Sequence, residues 1–281
     1  MISVITPVYN GKEFIESCIK VVIDQNCPNV EHIIVDGGST DGTVEIIKEY
    51  AQKYPHIRWI SEKDKGQSDA MNKGIAIATG EILAILNVDD YYEPNVLNRV
   101  LEIFKSLPEP SLLVGNCNVW DDEGKLIHLN KPTKLEFNAL LLAPYINSFP
   151  MNPSAYFYHT SLHQKVGLYK VDEHYTMDYD FLLRAVQAAT AKYVDETWGN
   201  YRLIEGTKTR NDEKSGQSFQ RLEHLLTNYR RKLPLFQRWK IAFTREFCRN
   251  LKQFRYYLNR VKHYFNEPEA ILIKLQQNRV N

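Results

Sequence analysis

Cysteine is scarce in this chain of 281 residues, and the four present, Cys18, Cys27, Cys117 and Cys248, include no CxxC pair. Their scatter excludes a disulfide framework and a structural zinc site and predicts a reducing compartment, the cytoplasm. Long apolar runs are lacking too. The longest stretch free of Asp, Glu, Lys and Arg runs from Phe137 to Gln164 and is interrupted by Pro144, Pro150 and Pro153, so no transmembrane helix is expected. Ile2 to Thr6 is a β-rich run with no basic and then apolar leader before it, which predicts that no signal peptide is present. Internal repeats and low-complexity tracts are absent. With 43% hydrophobic and 25% charged residues, the composition excludes disorder, collagen and coiled-coil fibre. The length fits one large domain or one domain with an appendage. A surplus of one charge is also missing overall, at +1, but the balance splits: 17 basic against 27 acidic residues in 1–201, and 18 against 7 in 202–281. Two regions of opposite sign suggest two tasks.

What is present is an alternation. Ile2 to Thr6, Ile33 to Asp36, Ile57 to Ile60 and Ile82 to Leu86 read as strands. Between them lie helical stripes carrying Phe14, Ile15, Cys18, Ile19 and Val22, then Val44, Ile47 and Ala51, then residues 68–78. Such a βαβα order predicts an α/β fold with a largely parallel sheet and helices on both faces. Ligands of such sheets bind beyond the carboxyl ends of the strands. Here those ends carry PVYNG, the segment from Asp36 to Gly42, the segment from Ser61 to Gln67, and Asn87 to Asp90. Each segment alone reads equally well as a turn. Four at one edge point to a ligand.

The first turn is not GxGxxG and no GxxxxGK[ST] loop occurs, so neither a Rossmann dinucleotide site nor a P-loop is supported. At the fourth strand end, Asn87, Val88, Asp89 and Asp90 place two hard oxygen donors in a row. Mg²⁺ or Mn²⁺ favours such ligands, with diphosphate and water completing its shell. The alternative is a helix cap, since Pro94 follows shortly after Asp90.

TPVYN at 6–10, DGGSTDGT at 36–43, SEKDKGQSDAMNKGIAIATGEI at 61–82 and LNVDD at 86–90 resemble the family 2 glycosyltransferases of the GT-A fold. Within that family the similarity is greatest to bacterial enzymes that build O-antigen, colanic acid and other surface polysaccharides. The resemblance implies a Rossmann-like, mostly parallel sheet flanked by helices, with a catalytic domain over 1–210 and a basic helical extension over 211–281. Residues 1–105 of that domain would hold the nucleotide sugar and 106–210 the acceptor. It implies that a nucleoside diphosphate sugar, commonly a uridine one, lies across the first four strand ends. Thr6, Pro7 and Tyr9 match the loop that packs on base and ribose, Asp36 the carboxylate that bonds the base, and Asp89 the metal-holding last Asp of the DxD motif. Asn87 replaces its first Asp and contributes no charge. Met71 replaces an Arg common in relatives, leaving Lys65 and Asp69 as substitutes for phosphate or base contacts.

The stretch 147–184 resembles the acceptor side of the same family. Sugar transfer with inversion needs a base to take a proton from the acceptor hydroxyl. Aligning MDYD with the family's acidic motif puts that base at Asp178, with Asp180 next; the alternative is that both simply favour a helix N-terminus. Trp120, Asn152 and Tyr156 are further expected pocket contacts. Ile204 stands where relatives have a metal- or diphosphate-binding His, leaving Arg202 and Lys208 as phosphate partners.

From Arg230 to Lys262 there are eleven Lys and Arg and one acid, Glu246, among aromatic and aliphatic residues at helical spacing. A basic amphipathic helix of this kind suits an anionic membrane surface on the inner face of the cytoplasmic membrane. Equally, the stripe could pack on the catalytic domain or pair two copies in a homodimer. No nucleic-acid module accompanies the charge, so no nucleic-acid partner is expected. The expected activity is transfer of a sugar, hexosyl or N-acetylhexosaminyl, to a glycan or lipid-linked glycan hydroxyl. A sugar-1-phosphate nucleotidyltransferase would need a Gly-rich first turn that PVYNG does not supply. A noncatalytic nucleotide-sugar-binding scaffold is suggested by Asn87, Met71 and Ile204.

Overall fold

The computed structural model describes residues 1–143, 148–207, 210, 212 and 215–266, with side chains placed through residue 251. Lys208, expected at the phosphates, lies outside the described residues, as do the side chains of the basic tail beyond 251. The alternation expected for the first hundred residues is realised. Strands β1 (Ile2–Val8), β2 (Val30–Asp36), β3 (Ile57–Ser61) and β4 (Ile82–Ile85) alternate with helices α1 (Lys12–Ile23), α2 (Thr43–Lys53) and α3 (Gln67–Ile77). The apolar spacing of α1 buries Ile15, Cys18, Ile19 and Val22 on one stripe, as a period of 3.6 requires.

Then come β5 (Tyr91–Tyr92), α4 (Val96–Phe104), β6 (Ser111–Trp120), β7 (Leu126–Asn130) and α5 (Phe137–Leu140). A 3₁₀ turn at Pro153–Ala155 leads into β8 (Tyr156–His159), followed by α6 (Leu162–Val166), α7 (Met177–Ala188) and β9 (Thr190–Arg202). Helices α8 (Gln217–Arg231) and α9 (Leu235–Asn266) close the described chain.

The sheet is mixed, in the order β3-β2-β1-β4-β8-β6-β9-β5, with β7 on β6. Its first four strands are parallel, β8 runs against both β4 and β6, and β9 is parallel to β6 but antiparallel to β5. The largely parallel expectation thus describes β1 to β4, and the reversed strands β5, β7 and β8 follow later in the chain. In register, Val8 pairs with Asp36 and Asp36 with Ser61, so the polar segments emerge at one edge.

Both faces of the sheet are covered, following strand alternation. Ile2 and Val4 face a cluster with Val22, Val96, Leu97 and Phe157, whereas Ile5 faces α3 and α7. Helix α3 lies so close to β1 that a Cβ on Gly74 would come within 2.5 Å of Ile5 Cγ2. Leu225 and Leu226 of α8 and Ile241 of α9 belong to the same cluster as Ile5, so packing crosses the expected domain boundary at 210. No helix among the described residues is long and apolar enough to cross a membrane.

Candidate active site

The rim of the cleft is built by turn residues whose side chains replace missing backbone partners. Asp36, at the end of β2, is fully buried: its Oδ2 accepts from the Gly38 and Ser39 amides at 3.0 Å each and from Ser61 Oγ at 2.7 Å, while Oδ1 accepts from Ser39 Oγ. This carboxylate therefore shapes the loop after β2 from within. The same loop is stitched to the one after β1, because the Asn10 amide donates to Ser39 Oγ at 2.7 Å and the Thr40 amide to Asn10 Oδ1 at 3.0 Å. Thr6 is likewise buried, sharing a hydrogen bond with His32 Nε2 at 2.9 Å, and Pro7 lies inside β1. Tyr9, 67% exposed, is the open side chain of this wall.

At the end of β4, Asn87 Oδ1 accepts from Gln67 Nε2 at 2.8 Å, and Asn87 Nδ2 donates to Asp90 Oδ2 at 2.9 Å. Asp90 does not cap a helix, since α4 begins only at Val96. Instead it is buried and accepts a second bond on Oδ2, from Asn152 Nδ2 at 2.7 Å. Asp89 is half-buried, with Val88 beside it packed against the apolar clusters. Arg202 arrives from the end of β9 because Tyr91 pairs with Asn200. Its Nε donates to the Asp89 carbonyl, and its guanidinium lies over the Phe14 and Tyr91 rings at 5.3 and 6.0 Å. A cavity of about 520 Å³ opens on this side, lined in part by Phe14, Tyr91, Trp120, Arg202 and Ile204.

Burial raises the Asp89 pKa, and its own backbone amide and then Arg202 only partly offset it. Burial, then repulsion from Asp89, push Asp90 well above the ordinary carboxylate range. Two neighbouring carboxyls whose protons are held this tightly are short of positive charge. Hard oxygen donors in such a place fit a divalent cation. Because Asp90 turns its oxygens to Asn87, Asn152 and the Arg202 amide, Asp89 is the side chain left to hold one. Among the described residues no cluster of three His, Cys, Asp or Glu exists, so diphosphate and water would fill the rest of the shell.

The raised Asp90 pKa carries a sign. A folded-state value above the unfolded one means that stability is fully present below the unfolded pKa and is lost as pH rises through the folded one. Asp90→Asn keeps an acceptor for Asn87 and Asn152 and is expected to raise Tm at pH 7. The gain should vanish as the buffer approaches pH about 4, where aspartate of the unfolded chain takes up its own proton. Thermal melts across that range check it, and a gain independent of pH refutes it.

The segment expected on the acceptor side meets this centre at the start of α3. Gln67 bonds Asn87, and the next residue, Ser68, donates from Oγ to Met177 Sδ at 2.8 Å. Met177 opens α7, and its neighbour Asp178 accepts from the buried Tyr156 hydroxyl at 3.0 Å. A second strap runs in parallel: Asn152 bonds Asp90, and Tyr156, which bonds Asp178, is four residues on. Four residues reach at most about 14 Å, so both carboxylate groups lie along one short segment. Asp180 faces the other way. It is 0% exposed and accepts from Lys170 Nζ at 2.6 Å, Arg184 Nε at 2.8 Å and Tyr229 OH at 2.8 Å.

The remaining expected residues are dispersed. Asp69 accepts from the Lys65 amide at 3.1 Å and pairs with Lys73, while the Lys65 side chain is exposed at the rim. Met71, at the position where the resemblance implies an Arg, is fully buried in the core. Gln67 and Tyr229 carried no signal in the sequence, because their partners are 20 and 49 residues away.

Comparison with known proteins bears on the family and the fold. The family model described as "Glycosyl transferase family 2" matches residues 3–166. The chain is 38% identical over 117 residues to the uncharacterized glycosyltransferase YibD of Escherichia coli (strain K12), a match spanning 42% of this chain and 33% of that protein. It is 27% identical over 253 residues to the uncharacterized glycosyltransferase EpsJ of Bacillus subtilis (strain 168), covering 86% of this chain and 71% of EpsJ. Among solved structures, S. aureus TarS 1-349 in complex with UDP-GlcNAc superimposes with a TM-score of 0.64 at 18% identity, over 85% of this chain and 70% of TarS. The mannosyltransferase PcManGT from Pyrobaculum calidifontis, solved with GDP-Man and Mn²⁺, gives 0.57 at 19% identity, over 79% and 62%. The fold is that of GT-A glycosyltransferases, and the chain belongs to glycosyl transferase family 2.

Proposed function

We propose that the protein transfers a sugar, hexosyl or N-acetylhexosaminyl, from a UDP-sugar to a hydroxyl of a glycan or lipid-linked glycan, with inversion, in assembling a bacterial surface polysaccharide. The observation that carries this reading is the pair Gln67 and Ser68, which ties the Asn87–Asp89 centre to the helix bearing Asp178. Tyr9 packs on the nucleoside at the rim, and the loop braced by Asp36 and Thr6, with Pro7, supplies the shape of the base and ribose site. Lys65 and Asp69 face the donor from the start of α3, and Arg202 and Lys208 meet its phosphates. The cytoplasm is its location, in keeping with cysteines that are all free thiols.

Asp178 acts as the base. As the acceptor oxygen bonds to the anomeric carbon, its proton passes to the Asp178 carboxylate, and the electrons of the breaking C–O bond leave with the diphosphate. The Tyr156 hydroxyl fixes the orientation of that carboxylate. When bound, Mg²⁺ or Mn²⁺ on Asp89 supplies Lewis-acid neutralisation of the diphosphate. Asn87 and Asn152 hold Asp90 so that the backbone at Asp89 is fixed, and Arg202 holds its carbonyl. The cleft contributes by presenting both substrates in line.

A thermal-shift measurement tests the donor site. At a UDP-sugar concentration about a hundredfold above Kd, binding to the folded state adds about 2.7 kcal/mol, which raises Tm by about 5 °C. The rise is expected to need Mn²⁺ or Mg²⁺ and to lose that dependence in Asp89→Ala. An undiminished metal-dependent rise in the variant rejects Asp89 as the ligand.

A further inference from the structure

Helix α9 has a docked stripe and an exposed aromatic stripe pointing in opposite directions. Ile241 is 5% exposed within the main core, with Thr244, Arg245 and Cys248 half-buried on the same stripe. At about 100° per residue, positions two apart are separated by about 200°. A helix docked through Ile241 must therefore turn Trp239 and Phe243 outward. The exposures agree: Leu235 70%, Phe236 80%, Trp239 75%, Phe243 73% and Phe247 56%. The Phe243 and Phe247 rings stack at 6.4 Å, making one continuous surface. Packing on the catalytic unit thus accounts for one stripe and leaves the more aromatic one in water. Aqueous surfaces seldom hold so large an apolar band without a partner.

Charge identifies the partner. Arg238 and Lys240 are exposed along the band, and Glu246 is neutralised by Arg249 at 2.6 Å. Within α9, residues 235–262 carry eight Lys and Arg against one acid. A second copy on this face would bring equal positive charge against itself, which is unfavourable. A lipid surface bearing negative headgroups removes that repulsion, and Trp and Phe settle at the boundary between headgroups and acyl chains.

We propose that the outward face of α9 from Leu235 to Leu251 docks on an anionic bilayer surface, with Trp239, Phe243 and Phe247 entering the headgroup layer and Arg238 and Lys240 contacting lipid phosphate. The inference stands on α9 alone and holds or fails independently of the transferase reading.

The test is co-sedimentation of the full chain with phosphatidylcholine vesicles, with and without phosphatidylglycerol. The protein is expected to pellet with the anionic vesicles, to be released by salt, and to stay in the supernatant with phosphatidylcholine alone. The triple variant Trp239→Ser, Phe243→Ser, Phe247→Ser removes exposed rings only. It should lower the partition coefficient by more than about tenfold while keeping the parent's far-UV circular dichroism. Arg238→Glu with Lys240→Glu, which leaves the rings intact, should lower it by about tenfold or more. No pelleting of the parent with anionic vesicles, or equal pelleting of the triple variant, overturns the proposal. So does a dimer in light scattering that the triple variant dissolves without any vesicle binding, which would assign the face to a second copy.

Discussion

Asp178→Asn is expected to slow sugar transfer by about 10²–10⁴, the range that general-base assistance contributes. That corresponds to about 2.7 to 5.5 kcal/mol of barrier. The substitution is nearly isosteric, and the amide oxygen can still accept the bond from Tyr156 OH, so the helix and its neighbours stay in place. Donor affinity should remain within about twofold, since an interaction realised only in the transition state lowers kcat and kcat/KM together. The measurement is turnover with acceptor present, paired with a donor titration. Transfer within about threefold of the parent would move the base elsewhere. Loss of donor binding would show that the residue supports the nucleotide side instead.

Asp180→Ala should act on stability. Asp180 is fully buried, and its removal leaves Arg184, only 17% exposed, and the Tyr229 hydroxyl without their carboxylate. Breaking a buried pair from one side typically costs about 3 to 5 kcal/mol, expected here as a fall in Tm of about 6 to 10 °C. Lys170, whose side chain is 46% exposed, is rehydrated when the carboxylate is removed and adds little to that cost. Burial alone would raise this carboxyl, yet Lys170, Arg184 and Tyr229 hold it below the ordinary value. A lowered folded-state pKa gives stability that is present above the unfolded value and lost as pH falls through the folded one. The gap in Tm between parent and variant should therefore narrow below pH about 4. Tyr229→Phe, losing one bond to a charged acceptor, should cost about 1.5 to 3 kcal/mol. A melt of Asp180→Ala within 2 °C of the parent, about the effect of a single kcal/mol, would contradict the assignment.

Much of the first half was legible because its strands pair with near neighbours and its helices show a clean stripe. The second half was not, because its pairings are remote: β6 lies beside β9 with Leu112 opposite Ala191. The reversed strands β8 and β5 carry no local mark of direction. Within the site, residue types at the strand ends were readable, but which way they face was not. Asp89 and Asp90 are adjacent in sequence, and only Asn152, 62 residues on, shows that the second is turned inward. Asp178 and Asp180 lie two positions apart on a helix, about 200° around it, and only the partners Lys170, Arg184 and Tyr229 show that Asp180 is the one turned inward. Thr6 and Asp36 have the polarity of ligand contacts, yet their partners His32 and Ser61 lie on adjacent strands, which makes them supports of the rim.

The cluster that starts at Ile5 is completed by Leu225, Leu226 and Ile241. During synthesis, at about 5–20 residues per second, β1 leaves the ribosome on the order of ten seconds or more before the residues that cover its neighbourhood. The nascent protein must therefore wait with an unfinished apolar face. A stop codon near position 215 would fix it in that condition, a substrate for chaperones and proteases rather than a smaller working enzyme.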